Sequence, residues 1–244
     1  MQIHYLDNSG FCIFLENTTL IIDYYNDKSD GDRTVDSGVI TEEELKKNKK
    51  TYVLNTHKHA DHFNTCVLDW KQKNEEIKYI FDSGIMHGIS KREYDISFLS
   101  EGEEYKDDSI WVKAYGSTDI GISFMIKAEG YTIYHAGDLN FWHWEDEAGE
   151  RFVKRAKTQF LNKLDAIIKE EYDIDIMFFP VDYRMGERGD LGSVMAKEAL
   201  KPKVFIPMHF QKEFDRIEKY KKENEDKDTA VWAISARGDV LHLA

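Results

Sequence analysis

The stretch His57-Lys58-His59-Ala60-Asp61-His62 decides the reading of this chain. Three of its nine histidines fall within these six residues, and an aspartate precedes the last of them. Imidazole nitrogen and carboxylate oxygen are the ligands that zinc and related first-row metals prefer. The preceding run, Thr51-Tyr52-Val53-Leu54-Asn55, is β-branched and aromatic and predicts a buried strand. The cluster then sits on a loop leaving a strand, where a rigid sheet can aim several ligands at one point. The plain alternative is a polar surface loop that happens to hold three histidines.

Working outward, strands are expected at Ile3–Leu6, Phe11–Glu16 and Thr19–Tyr25 before the cluster. A short helix begins after Thr41, a residue suited to capping. Beyond the cluster, Phe63–Lys73 reads as helix. Ile77–Asp82, Ile110–Ala114, Gly121–Ala128 and Tyr131–His135 read as strands. Between Asp146 and Glu171, Phe152, Ala156, Phe160, Leu164 and Ile167 recur at helical spacing and predict an apolar stripe. Ile174–Val181 reads as a buried strand, Ser193–Lys201 and Glu213–Glu223 as helices, and Ala230–Ser235 and Asp239–Leu243 as closing strands. Strand-rich and helix-bearing segments recur in two halves, which suits two face-to-face sheets with helices outside. No linker, repeat or low-complexity segment interrupts residues 1–244, so one domain is expected.

The chain carries 33 basic and 46 acidic side chains, a formal charge of −13, which argues against a nucleic-acid footprint. Its two cysteines, Cys12 and Cys66, are isolated and do not form a disulfide framework. There is no apolar run of membrane-spanning length, and the start Met1-Gln2-Ile3-His4-Tyr5 is unlike a signal peptide, so a cytoplasmic location is expected.

With its H-x-H-x-D-H pattern, the chain resembles the metallo-β-lactamase-fold hydrolases. Leu20-Ile21-Ile22-Asp23 resembles the family's strand ending in a supporting aspartate. Tyr134-His135-Ala136-Gly137-Asp138 resembles its metal-bridging G-D motif. Ile206-Pro207-Met208-His209-Phe210 resembles the strand end that carries its last histidine. The resemblance covers nearly the whole chain and implies an αββα sandwich, a four-layer α/β (α+β) fold. It also implies that His57, His59 and a third group hold one metal, that Asp61, His62 and His209 hold a second, and that Asp138 bridges them. Zinc is the expected ion, one or two per chain, with manganese or iron as alternatives. Asp23 would sit behind the ligands and hold a histidine tautomer. One element departs from the family. The loop Ala114-Tyr115-Gly116-Ser117-Thr118-Asp119 lacks the histidine expected there. The alternatives are Asp119 in its place, water or substrate completing the site, or a single metal; the plain reading of Asp119 is a residue that caps its own loop.

Those ligands imply hydrolysis by a metal-bound hydroxide attacking a carbonyl carbon or phosphorus, with Asp61 orienting the nucleophile. A small-molecule substrate is expected, an ester, lactone or phosphate ester. The compact length and the Ile206–His209 ending resemble the sugar-phosphate lactonase-like branch. Trp142 and His143 follow the bridging aspartate closely and are candidate substrate contacts, as are Arg184 and Arg188. Each has a plain reading as well, a packed or solvated side chain. His135 lies three residues before Asp138, on the opposite face of a strand, and is excluded from the ligands. Two other readings are a phosphodiesterase or nuclease of the same fold, and a degenerate, non-catalytic binding protein.

Overall fold

Alternation of apolar residues organises the sheets. In β3 (Thr18–Ile22) and β4 (Lys50–Asn55), Leu20, Ile22, Tyr52 and Leu54 join one apolar cluster, while Ile21 and Val53 join another. Successive side chains of a strand point to opposite faces, so these strands are covered on both sides. The computed structural model describes residues 1–29, 31–87, 89 and 94–243.

One seven-stranded sheet has the order β14-β1-β2-β3-β4-β5-β6. It adds β1 (Gln2–Asp7), β2 (Gly10–Phe14), β5 (Lys78–Asp82), β6 (Ile96–Leu99) and β14 (Val240–His242) to those two strands. The other has the order β13-β12-β11-β10-β9-β8-β7. Its strands are β7 (Glu104–Lys106), β8 (Ile110–Gly116), β9 (Ile122–Ala128), β10 (Tyr131–His135), β11 (Ile176–Pro180), β12 (Val204–Met208) and β13 (Ala230–Val231). Each sheet begins as an antiparallel meander and continues as a parallel run, β3 to β6 in one and β10 to β13 in the other. The sheets meet face to face, with Phe11 and Phe178 at 4.4 Å between ring centroids. Burying one such ring is worth roughly 1.5–3 kcal/mol.

Helices cover the outer faces and complete the αββα sandwich. On the first sheet, Leu45 of α1 (Glu42–Lys47) and Val67 and Leu68 of α2 (Cys66–Asp69) pack with Ile21, Val53 and Tyr79. Thr41 caps α1 through a reciprocal pair with Glu44. On the second sheet, α3 (Glu150–Ile168) buries Phe160, Leu164 and Ile167, and α5 (Phe214–Asn224) sets Tyr220 against Phe205. Between them runs α4 (Leu191–Leu200).

Several expectations need correction. The α3 stripe includes Val153 rather than Phe152, which is 49% exposed, because Val153 continues the spacing of Ala156, Phe160 and Leu164. The expected helix at Phe63–Lys73 is a single α-turn followed by a 3₁₀ turn at Trp70–Gln72. The strands β6 and β7 were not anticipated; both are short edge strands with little patterning. Cys12 and Cys66 are unpaired. Among the described residues, no helix is long and apolar enough to cross a membrane.

The topology gathers the loops that matter at one end. Asp23 follows β3, the His57–His62 stretch follows β4, Asp138 follows β10, Asp182 follows β11 and His209 follows β12. All five strands belong to the parallel runs, and open α/β sheets place ligand groups beyond the carboxyl ends of such strands. The turn into Asp138 is sterically closed. Gly137 has φ of +53°, and a Cβ there would stand 2.8 Å from the Ile122 carbonyl and 2.9 Å from Thr56 Cβ. We therefore expect Gly137→Ala to cost about 1–3 kcal/mol in denaturant unfolding. A variant as stable as the parent would show that the turn tolerates a side chain.

Candidate metal centre

Three histidines are held from behind so that each turns Nε2 toward a common point. His62 Nδ1 donates to Asp23 Oδ2 at 2.8 Å, and His209 Nδ1 donates to Asp182 Oδ2 at 3.0 Å. Thr56 Oγ1 donates to Asp23 at 2.6 Å, so its lone pair is left to accept from His57 Nδ1 at 3.0 Å. Fixing one ring nitrogen sets the tautomer and aims the other. His57, His62, Asp23 and Asp182 are fully buried, and His209 and Asp138 nearly so. Asp23 and His209 both take left-handed backbone conformations, with φ of +48° and +61°. Such strain in non-glycine residues collects at functional sites.

Asp138 stands at the meeting point. Its Oδ2 is 3.4 Å from His57 Nε2, while its Oδ1 is 3.2 Å from His62 Nε2 and 3.6 Å from His209 Nε2. One carboxylate thus faces two groups of imidazoles with separate oxygens. Asp61 Oδ2 lies 3.5 Å from His209 Nε2 and accepts from Asn8 Nδ2 at 3.1 Å. His59 Nδ1 is 3.0 Å from His57 Nε2 and 4.0 Å from Asp119 Oδ2. Two nitrogens each ~2.1 Å from one ion stand roughly 3–3.5 Å apart, so such spacings are those of ligands sharing a metal.

A direct sign that a cation belongs here is a pair of orphaned atoms. His62 Nε2 and Asp138 Oδ1 are buried and lack hydrogen-bond partners, although they lie only 3.2 Å apart. Buried polar atoms are rarely left so, because an unpaired one costs about 1–3 kcal/mol. A divalent ion would satisfy both. The donors fit it in kind, too: His57, His62 and Asp138 form one group of convergent ligand atoms, Asp61, His62 and His209 a second, and His59, Asp119 and Asp138 a third.

Protonation follows from the same packing. Burial pushes His57 down to about 4, leaving it neutral. Burial also works against a charge on His62, but the Asp138 and Asp23 carboxylates overcome it and raise His62 to about 10. Against the same burial, hydrogen bonds to Asp182 and Asp61 raise His209 to about 9. Asp61, bonded to His209, is held well below the usual carboxylate range, and Asp138 is too, burial being outweighed by His62 and His209.

The centre opens into a cleft of about 400 Å³ lined by His59, Asp61, Asp119, Trp142, Trp144 and Arg184, among others. Trp142 donates its indole N–H to the Asp138 carbonyl at 3.0 Å and packs edge-on to His209. The guanidinium of Arg184 is bound to Asp182 and about half exposed. A larger groove of about 650 Å³, lined by Met1, Phe14, Lys47 and Tyr131, shares no residue with the cleft and holds no converging ligands, so volume alone would misplace the site.

Not every sequence candidate reaches the cleft. His143 is buried with both ring nitrogens engaged, Nε2 by the Arg188 carbonyl and Nδ1 by the Glu145 N–H; it is a structural histidine, not a substrate contact. Arg188 is paired with Glu145 and is absent from the cleft lining. His135 donates to the Ser9 carbonyl, away from the ligand groups. Asp119 does not cap its loop: its N–H donates to Ser117 Oγ, which is the capping group. No ligand pattern in the sequence marks Asp182, Thr56 or Asn8. Asp182 lies two residues before Arg184 in the chain, and only the carboxylate's partner, His209, reveals its part.

Likeness to known proteins places the chain in a family. The family model for the beta-lactamase superfamily domain matches residues 2–151. The chain belongs to this superfamily. It is 28% identical over 206 residues to a UPF0173 metal-dependent hydrolase of Archaeoglobus fulgidus, covering 78% of this chain and 76% of the relative. A second such hydrolase, from Symbiobacterium thermophilum, is 27% identical over 86% of this chain and 84% of its own length. Among solved structures, the metallo hydrolase Igni18 of Ignicoccus hospitalis superposes with a TM-score of 0.67 at 19% identity, over 98% of this chain and 97% of its own. CmlA, a diiron β-hydroxylase of Streptomyces venezuelae, gives 0.66 at 13% identity, over 99% of this chain and 54% of its own. At those identities the two structures speak for the superfamily fold alone.

Two outcomes test the centre. Metal can take the Nε2 positions of His62 and His209 only by displacing protons, so zinc binding to metal-free protein at pH 7 should release roughly two protons. Calorimetry in buffers of different ionisation enthalpy measures this, and no release would contradict charged imidazoles. The sign for stability is fixed as well. For histidines raised from 6.5 to about 10 and about 9, stability of the metal-free protein is fully present below pH 6.5 and lost as pH climbs through 9 to 10. Separately, Asp182→Asn should weaken metal binding about 10–100-fold by loosening His209, read by chelator competition.

Proposed function

We propose that this superfamily member is a metal-dependent hydrolase of a small molecule bearing an ester, lactone or phosphate-ester bond. The observation that carries the reading is the convergence of His57, His62, His209, Asp61 and Asp138 on orphaned buried atoms at the floor of an open cleft. The names of the relatives from Archaeoglobus fulgidus and Symbiobacterium thermophilum, both metal-dependent hydrolases, support it.

His57 and His59 would hold one ion, Asp61, His62 and His209 another, with Asp138 between them; zinc suits the imidazoles best. When bound, such ions would bring the pKa of water toward ~7 and draw charge onto themselves from the oxygen of the carbonyl or phosphoryl group under attack. The rest falls to the chain. Asp61 is 44% exposed at its side chain and anchored by Asn8, so it can both face the floor and hold a water in line. Its low proton affinity keeps it a carboxylate, ready to accept a hydrogen bond from that water. Trp142 and Trp144 stack with an interplanar angle of 15° and wall one side of the cleft, excluding water from an apolar substrate face. Arg184 offers a cation at the rim, suited to a carboxylate or phosphate.

A nuclease is a weaker reading. A cleft of this size, rimmed by Asp61 and Asp119, in a chain of charge −13 gives a polyanion no basic track. A non-catalytic role leaves unexplained why so many costly polar groups are buried together.

With a substrate found from a panel of esters, lactones and phosphodiesters, Asp61→Ala should cut turnover by about 10²–10⁴-fold while the thermal unfolding midpoint stays close to the parent's. Normal turnover in that variant would remove Asp61 from the mechanism. No turnover by the parent with zinc, manganese or iron on the whole panel would remove the hydrolase reading.

A further inference from the structure

We propose that Asp119 is a ligand of the more open metal position, the one held by His57 and His59, and supplies a carboxylate where an imidazole would otherwise complete the set. Each position then has two imidazoles and two carboxylates, counting Asp138 in both, and the one completed by Asp119 is less selective for zinc over manganese than one completed by a third histidine. This deepens the hydrolase reading and rests on it.

The placement of Asp119 is built rather than accidental. Its loop is fastened at both ends to loops that carry ligands. On one side, Thr118 Oγ1 donates to the Asn140 carbonyl at 2.6 Å and accepts from the Asn140 N–H at 3.0 Å, tying it to the segment after Asp138. On the other, the Ile122 N–H donates to the Thr56 carbonyl at 3.0 Å, beside His57. Gly121 makes that approach possible, for a Cβ there would lie 2.2 Å from the Thr56 carbonyl oxygen and 2.4 Å from His57 Cβ. Between these anchors the Asp119 carboxylate reaches 4.0 Å from His59 and shares a ligand group with Asp138. The other oxygen of Asp138, Oδ2, stands 3.4 Å from His57 Nε2, so the same carboxylate also faces this position.

The two positions differ physically. His57, His62 and His209 are buried; Asp61 is 44% exposed in the position it shares with His62 and His209, whereas both His59 and Asp119 are 45% exposed in the other. Asp119 also lines a second, polar cleft with Gln159, Asn162 and Lys163, so this position faces solvent from two sides. A carboxylate where an imidazole would serve adds a negative charge and a harder donor, which narrows zinc's advantage over manganese.

The test is metal binding without any substrate. Metal-free parent, Asp119→Asn, Asp119→His and Asp138→Asn proteins are titrated with zinc alone and manganese alone, read by chelator competition, elemental analysis and manganese electron resonance. The parent should bind two equivalents, and Asp119→Asn should keep the first and weaken the second by about a hundredfold or more, beyond what a lost supporting bond costs. Asp119→His should restore the second equivalent and raise its preference for zinc over manganese at least about tenfold. A second equivalent that is absent from the parent, or unchanged in Asp119→Asn, overturns the proposal while leaving the hydrolase reading standing. If neither the parent nor any variant binds metal, the hydrolase reading falls with it. Loss of all binding in Asp138→Asn alone shows that the titration reports on this centre.

Discussion

The structure depends on one awkward arrangement: a buried carboxylate, Asp138, surrounded by three imidazole nitrogens, two of which carry protons in the metal-free protein. Opposite charges attract strongly in a dry interior, yet His62 Nε2 and Asp138 Oδ1, 3.2 Å apart, are left without a hydrogen-bond partner. The protein bears that cost because each imidazole is tethered from behind. Remove Asp23 or Asp182 and the rings lose the partner that sets their direction.

The fold supplies those tethers. Each sheet contributes a parallel run, and the runs end side by side at one edge of the sandwich. Asp23 serves the first sheet's loop by accepting from Thr56, Asn55 and His62 together, so it ties β3 to β4 as well as to the ligand. Asp182 repeats the device on the second sheet, joining the end of β11 to His209 at the end of β12. The tight approach at Gly121 and Gly137 then brings the two sheets' loops within ligand distance of each other.

Exposure grades across the centre, from the enclosed His62 and Asp138 to the open His59 and Asp119. The buried half is suited to holding an ion, and the open half to exchanging water and meeting a substrate. Trp142 links the two, since it bonds the Asp138 carbonyl while its ring faces the cleft. A change in the wall of the cleft would thus be felt by the Asp138 carboxylate.

Local pattern carried much of this in advance. The residues from His57 to His62 are close in sequence, so the candidate ligands stand out as one cluster, and β-branched runs such as Thr51–Asn55 mark strands because their burial is periodic. The α3 stripe was displaced at one position, Phe152, because the start of a helix is not fixed by spacing. His143 read as a substrate contact because it lies five residues after Asp138, yet the chain turns it inward onto the Arg188 carbonyl. What the sequence by itself determined was the ligand chemistry and the alternation that makes two covered sheets. Only the tertiary structure decided which aspartate backs which histidine, that Asp119 faces His59, and that Asp138 turns one oxygen to each group. Those pairings join residues far apart in the chain, and a hydrogen bond's geometry is set by the packing that closes the distance, not by spacing along the backbone.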